Sequence, residues 1–189
     1  MPRVSSALLS LRLRTLEKSG IIERRTAGRG TEYTLTEAGM DLVPTIESLA
    51  HWGKRWLPAT LSDDNADPDL IMWDMHRRFN CELLPRVRTV IQFDFKDQPM
   101  AKRLRWILAT AEGAELCITD PGLEPDLFVV TDSHTVTWVW YGDMELSRAI
   151  SDGAFELHGP RDLCAAFPSW LQLSRLANVA RKRLLDEKI

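Results

Sequence analysis

The chain has 189 residues, 44% hydrophobic and 27% charged, with a net charge of −3; this is ordinary for a soluble globular protein able to bury a core without staples. Its three cysteines, Cys81, Cys117 and Cys164, are odd in number and far apart, which excludes a disulfide framework or a Cys-x-x-Cys zinc site. No apolar run approaches the ~20 residues of a membrane span and no signal peptide is seen, so a cytoplasmic protein with reduced thiols and no membrane partner is expected.

The charge is unevenly spread. Residues 1–35 hold seven basic and three acidic side chains, a net +4 that leaves −7 for the remainder. A basic end on an acidic chain points to an anionic partner for that end alone. Within it, Ser5 and Ser6 open a helix that Gly20 stops, with Leu9, Leu13 and Leu16 at helical spacing on a side built to be buried. The short runs IIERRT and TEYTLT follow, separated by Ala27-Gly28-Arg29-Gly30, which reads as a hairpin with a basic tip. A helix followed by a basic hairpin has the form of a recognition helix and its wing.

Thr36 opens a longer helix whose Leu42, Ile46, Leu49, Trp52 and Trp56 form an apolar stripe. That stripe has two fates, packing under the wing and pairing with the same helix of a second subunit, and both are expected. Pro44 either lies early enough to be tolerated or kinks the helix. The polar run 58–69, with two prolines, reads as a linker.

Beyond it, LIMWDMHRRF reads as a helix. RTVIQFDF, KRLRWILAT, AELCITD, PDLFVVT and HTVTWVWY read as five strands of a meander. DMELSRAISDG reads as a helix, AFELHG as a last strand, and PRDLCAAFPSWLQL and the tail from Ser174 as closing helices. The fold class is α+β: residues 1–57 form one domain, 58–69 a linker, 70–175 a mostly antiparallel sheet with helices at its ends, and 176–189 a basic tail.

The ordered pieces VSSALLSLRLRTLEKSGIIERR, GTEYTLTEAG and SLAHWGKRW resemble the HxlR family of winged helix-turn-helix regulators over about residues 4–57. The resemblance implies a bacterial DNA-binding protein, usually a homodimer, whose serine-opened helix enters the major groove while the wing follows the phosphate backbone. Such proteins begin with further helices, so an N-terminally truncated helix-turn-helix is the expectation here. Leu11 stands where a polar residue is usual and Ala7 where a long polar one is common. Residues 70–171 resemble a sterol-carrier-protein-like domain in the order of strands, the Tyr141-Gly142-Asp143 turn and the helix to Gly153; this implies an apolar cavity between sheet and helices.

The expected DNA contacts are Ser5, Ser6, Ser10, Arg12 and Arg14 on the helix and Arg24, Arg25 and Arg29 on the wing. Trp73, Trp106, Trp138 and Trp140 form either a core cluster or the lining of a ligand cavity, with Trp138 and Trp140 on one strand face. His51, His76, His134 and His158 show no ligand spacing with the cysteines. No phosphate-cradling glycine loop or catalytic triad appears, so no metal, cofactor or enzymatic activity is expected. The function expected is transcription regulation, with double-stranded DNA and an apolar small molecule as partners and coupling through the Trp52–Trp56 helix end. The alternative is a lipid-carrier-like module whose N-terminal remnant no longer binds DNA.

Overall fold

A computed structural model describes residues 5–27, 30–57, 67–84 and 88–182. The chain divides into two compact units, Met1–Leu57 with Arg181–Ile189, and Pro58–Ala180.

In the first unit α1 spans Ser6–Lys18, capped by Ser5, whose Oγ accepts from the Leu8 amide at 3.2 Å. Its C-terminus closes in a Schellman motif: Gly20 N–H donates to Glu17 O and Ile21 N–H to Leu16 O, both at 3.0 Å, with Gly20 at φ 70°. Strands β1 (Ile22–Ala27) and β2 (Gly30–Leu35) pair antiparallel from Ile22↔Leu35 to Ala27↔Gly30. Helix α2 (Glu37–Trp56) follows, with the Thr36 hydroxyl accepting from Gly39 N–H at 3.1 Å. It runs through Pro44, which lies in the helix interior and not in a loosely bonded first turn.

The unit hides little of its apolar surface. Ile22, Gly39 and Lys54 are its buried residues among those described. Leu9 and Leu16 of α1 are exposed, as are Leu42, Ile46, Leu49 and Trp52 of α2, so of the three leucines of α1 expected on a buried side only Leu13 is partly covered. Two helices and a hairpin do not enclose enough volume to shelter those side chains.

At the other end of α2, Arg181 donates to Leu57 O at 2.9 Å and Lys54 O at 3.3 Å, and Lys182 N–H donates to Arg55 O at 2.7 Å. The Lys182 ammonium sits 5.3 Å from the Trp56 ring centroid. Returning backbone and side chains thus satisfy the carbonyls that a helix end leaves without partners. The closing helix expected from Ser174 onward is absent among the described residues, which form turns and extended chain to Lys182; the rest of the tail lies outside them.

The second unit opens with α3 (Pro68–Arg77), capped by the Asp67 carboxylate. Strand β3 (Thr89–Phe95), a short α4 (Met100–Arg103), β4 (Leu104–Thr110), β5 (Gly113–Cys117) and β6 (Leu127–Thr131) follow. Then come α5 (Ser133–Trp140), α6 (Leu146–Ser151), β7 (Glu156–His158) and α7 (Arg161–Trp170). The sheet order is β5-β4-β3-β6-β7, and the β3–β6 pair is parallel within an otherwise antiparallel, α+β arrangement. The core is aromatic: Phe93 stacks near Phe95 at 6.2 Å, and Phe167 meets Phe155 and Trp170, each at 6.0 Å between ring centroids. No helix among the described residues is long and apolar enough to cross a membrane.

The segment HTVTWVWY, expected to be a strand, is α5. Its β-branched residues favour a sheet locally, but Asp132 caps a helix there by accepting from Thr135 N–H at 2.8 Å and Thr135 Oγ1 at 2.7 Å. Asp97 holds the next orphan amide, Ser133 N–H, at 3.0 Å. Burial on nearly every side then removes the polar alternation that a half-buried strand would need.

Candidate nucleic-acid interface

The α1–hairpin–α2 junction is fixed by backbone and one hydroxyl. Thr36 N–H donates to Ile21 O at 3.1 Å, and the Thr36 hydroxyl reaches Gly20 O at 2.5 Å. Gly39 packs so closely on this turn that a Cβ there would stand 2.1 Å from Ile21 O. The end of α1, the start of β1 and the first turn of α2 therefore hold one another in a set geometry.

On α1, Ser10 and Arg14 are exposed and, four residues apart, share a face. Ser6, at the first helical position, has its backbone on the same stripe. Arg12 is also exposed, but helical periodicity puts it about half a turn away, in line with exposed Leu8 and Leu16. Ser5 acts on its own helix as the cap. The expected helix contacts thus separate into a Ser10–Arg14 face and an Arg12 face.

The hairpin divides its arginines too. Arg24 lies opposite Tyr33, and its Nη2 donates to Thr31 Oγ1 at 3.3 Å on a face free of carboxylates. Arg25 points to the other face, ion-paired with Glu23 and opposite Glu32. Part of its charge is thereby neutralised before any ligand arrives. Expected alike as wing contacts, the two arginines differ, and alternation along IERRT carries the difference. Arg29 lies outside the described residues.

The four tryptophans are not brought together on one wall. Trp140 is fully buried on α5 with its Nε1 donating to Asp74 at 2.9 Å, and Trp106 is buried on β4 with its Nε1 donating to Gln92 at 3.2 Å. Trp138 is half-buried; two positions from Trp140 on a helix, it faces the opposite way, and not along a shared strand face. Trp73 is 53% exposed, under the Arg77 guanidinium.

The model of the HxlR-like helix-turn-helix family matches residues 1–61. An HTH-type transcriptional regulator of Methanothermobacter thermautotrophicus is 36% identical over 59 residues, 30% of this chain and 45% of that protein. The HTH-type transcriptional regulator YdeP of Bacillus subtilis is 36% identical over 58 residues, 29% of this chain and 45% of that one. The chain thus spans about half the length of these curated relatives. Among solved structures, the sec-alkylsulfatase Pisa1 of Pseudomonas sp. is similar at a TM-score of 0.44 and 17% identity, covering 55% of this chain and 16% of that one. The sterol carrier protein domain 2 of Helicoverpa armigera is similar at a TM-score of 0.41 and 16% identity, covering 52% and 80%. Residues 1–61, with their serine-capped helix, basic hairpin and following helix, are thus similar to an HxlR-like helix-turn-helix.

Proposed function

We propose that this protein is a DNA-binding transcription regulator in which α1 enters the major groove and the β1–β2 hairpin rests on the phosphate backbone. The observation that carries the reading is the exposed Ser10–Arg14 face of α1, held rigidly to a hairpin that presents Arg24, within the segment that matches a helix-turn-helix family. Arg14 reads a base edge and Arg24 neutralises a phosphate. Arg25 contributes less, because Glu23 already holds it.

Fluorescence anisotropy with a duplex from the gene's own upstream region, titrated with salt, tests this. Arg24→Ala lowers the slope of log K against log salt by about 1, the signature of one lost phosphate contact. Arg14→Ala costs roughly 1–3 kcal/mol on the preferred sequence and less on a scrambled duplex. Absence of binding at low salt, or an unchanged slope in Arg24→Ala, rejects the interface.

The same reading makes the protein a homodimer. The open stripe of Leu42, Ile46, Leu49 and Trp52 on α2 is the surface that a second copy covers. Ile46→Glu with Leu49→Glu is expected to give a monomer in light scattering and to weaken binding to a two-half-site duplex at least tenfold; an unaltered dimer mass places the contact elsewhere. The second unit reinforces this assembly or senses a ligand.

A further inference from the structure

Helix α1 carries one leucine outside the register of its own packing. Leu9, Leu13 and Leu16 recur every three or four residues, and Leu13, the one partly covered, marks the side turned toward the interior of the unit. Leu11 lies two residues from Leu13, about 200° round the helix. At 59% it is the most exposed leucine of α1.

The outer side is a row with a definite chemistry. Ala7, Leu11, Arg14 and Lys18, at i, i+4, i+7 and i+11, are all exposed and share one face, with Ser10 at its border. The Thr15 hydroxyl next to this row is turned back onto the Leu11 carbonyl at 3.0 Å, so its proton stays with the helix. Neither Arg14 nor Lys18 pairs with a carboxylate among the described residues. An apolar centre is thus followed, toward the C-terminus of the helix, by two cations. Their charge commits the face to a polyanion, and the leucine between them and Ala7 needs an apolar partner on that same polyanion.

We infer that Leu11, with Ala7 one turn before it, selects thymine through its 5-methyl group, a role that rests on α1 lying in the major groove as proposed above. The thymine methyl is the apolar group that the bases present there. Set against the acceptors of guanine or the amino group of cytosine, a leucine would strip water from polar atoms and return no hydrogen bond. Ala7 and Leu11 are four residues apart, about 6 Å along the axis, close to two base-pair steps of about 3.4 Å. The short Ala7 lets the first turn approach the bases, and the larger Leu11 fills the groove one turn on. The preferred site therefore holds thymine beside the base that Arg14 reads.

Selection from random duplexes with the full chain supplies that site. Replacing each dT in it by dU then removes a methyl while keeping the base pair and its hydrogen-bonding edge. Loss of the methyl under Leu11 is expected to weaken wild-type binding about fourfold. Leu11→Ala binds the dT and dU duplexes equally at that position, and Leu11→Gln shifts its preference there to adenine, whose N7 and N6 suit an amide. Arg24→Ala lowers both affinities and keeps their ratio. Circular dichroism of the Leu11 variants should match that of the parent, because the side chain replaced is exposed. A selected site indifferent to every dU, or a dU penalty unchanged in Leu11→Ala, overturns the methyl contact while DNA binding stands. Failure to retain any duplex at low salt removes both.

Discussion

Replacing Gly39 with alanine is expected to unfold the first unit, and with it to remove the DNA binding proposed for that unit, while leaving the second intact. The added methyl would sit 2.1 Å from Ile21 O and 3.1 Å from a Leu35 methyl. The oxygen belongs to backbone that already accepts from Thr36 N–H, so it has nowhere to move. Overpacking of this kind costs roughly 3 kcal/mol or more. A unit that buries so little has no margin to absorb it. Gly20→Ala separates strain from collision: at φ 70° with open space around the new methyl, it costs only about 1 kcal/mol. Hydrogen exchange resolved by peptide should show residues 5–57 deprotected in Gly39→Ala and β3 to α7 unaffected. Equal protection of both units in that variant removes the argument.

Asp69→Ala should have a comparably large effect on the second unit. Arg105 is buried, with its side chain 4% exposed, and donates to Asp69 Oδ1 at 2.5 Å and to Leu104 O at 2.6 Å. Lys102 bridges the neighbouring Asp67 at 2.9 Å. Removing Asp69 leaves a buried guanidinium without its nearest carboxylate, a loss that costs about 3 kcal/mol even with Asp67 close by. Asp69→Asn keeps an acceptor and recovers part of it. Chemical denaturation gives the measurement, and a shift under 1 kcal/mol in Asp69→Ala refutes the pairing. The network also sets the acid response. Burial pushes the Asp67 carboxyl upward, but the Lys102 hydrogen bond and charge, the Asp69 amide and Arg105 outweigh it, so the net shift is below the ordinary value of 3.8. A carboxyl lowered on folding stabilises the protein above its unfolded value, and that contribution disappears as the pH falls through the folded one.

Much of the first unit was legible because its signals are local. A serine before a leucine-spaced run caps a helix, glycine ends it, and β-branched runs around Ala27–Gly30 make a hairpin. The T-x-x-G spacing carried by the resemblance acquires a cause in the coordinates: Thr36 caps α2 and reaches Gly20 O, and Gly39 admits the close approach of Ile21 O. What escaped is what depends on partners distant in sequence. The periodicity of Leu9 and Leu16 tells that they suit burial, not that this unit supplies the burying surface. The β-branched HTVTWVWY suggests a strand until Asp132 and Asp97 take up the first helical amides, and Asp97 comes from 36 residues upstream. The separation of Arg24 from Arg25 was readable from strand alternation, yet the sign of the surface each one joins depended on the register with Glu32.

The return of Arg181 and Lys182 to the end of α2 makes the first unit discontinuous in sequence. A fragment cut after Leu57 therefore omits the groups that seal the last turn, and its terminal carbonyls must turn to water. Fraying would begin around Trp56 and spread toward the open stripe of Leu42, Ile46, Leu49 and Trp52. Such a piece is expected to be less helical at that end than the whole chain, and grafting the returning segment onto the helix through a short loop should restore the seal.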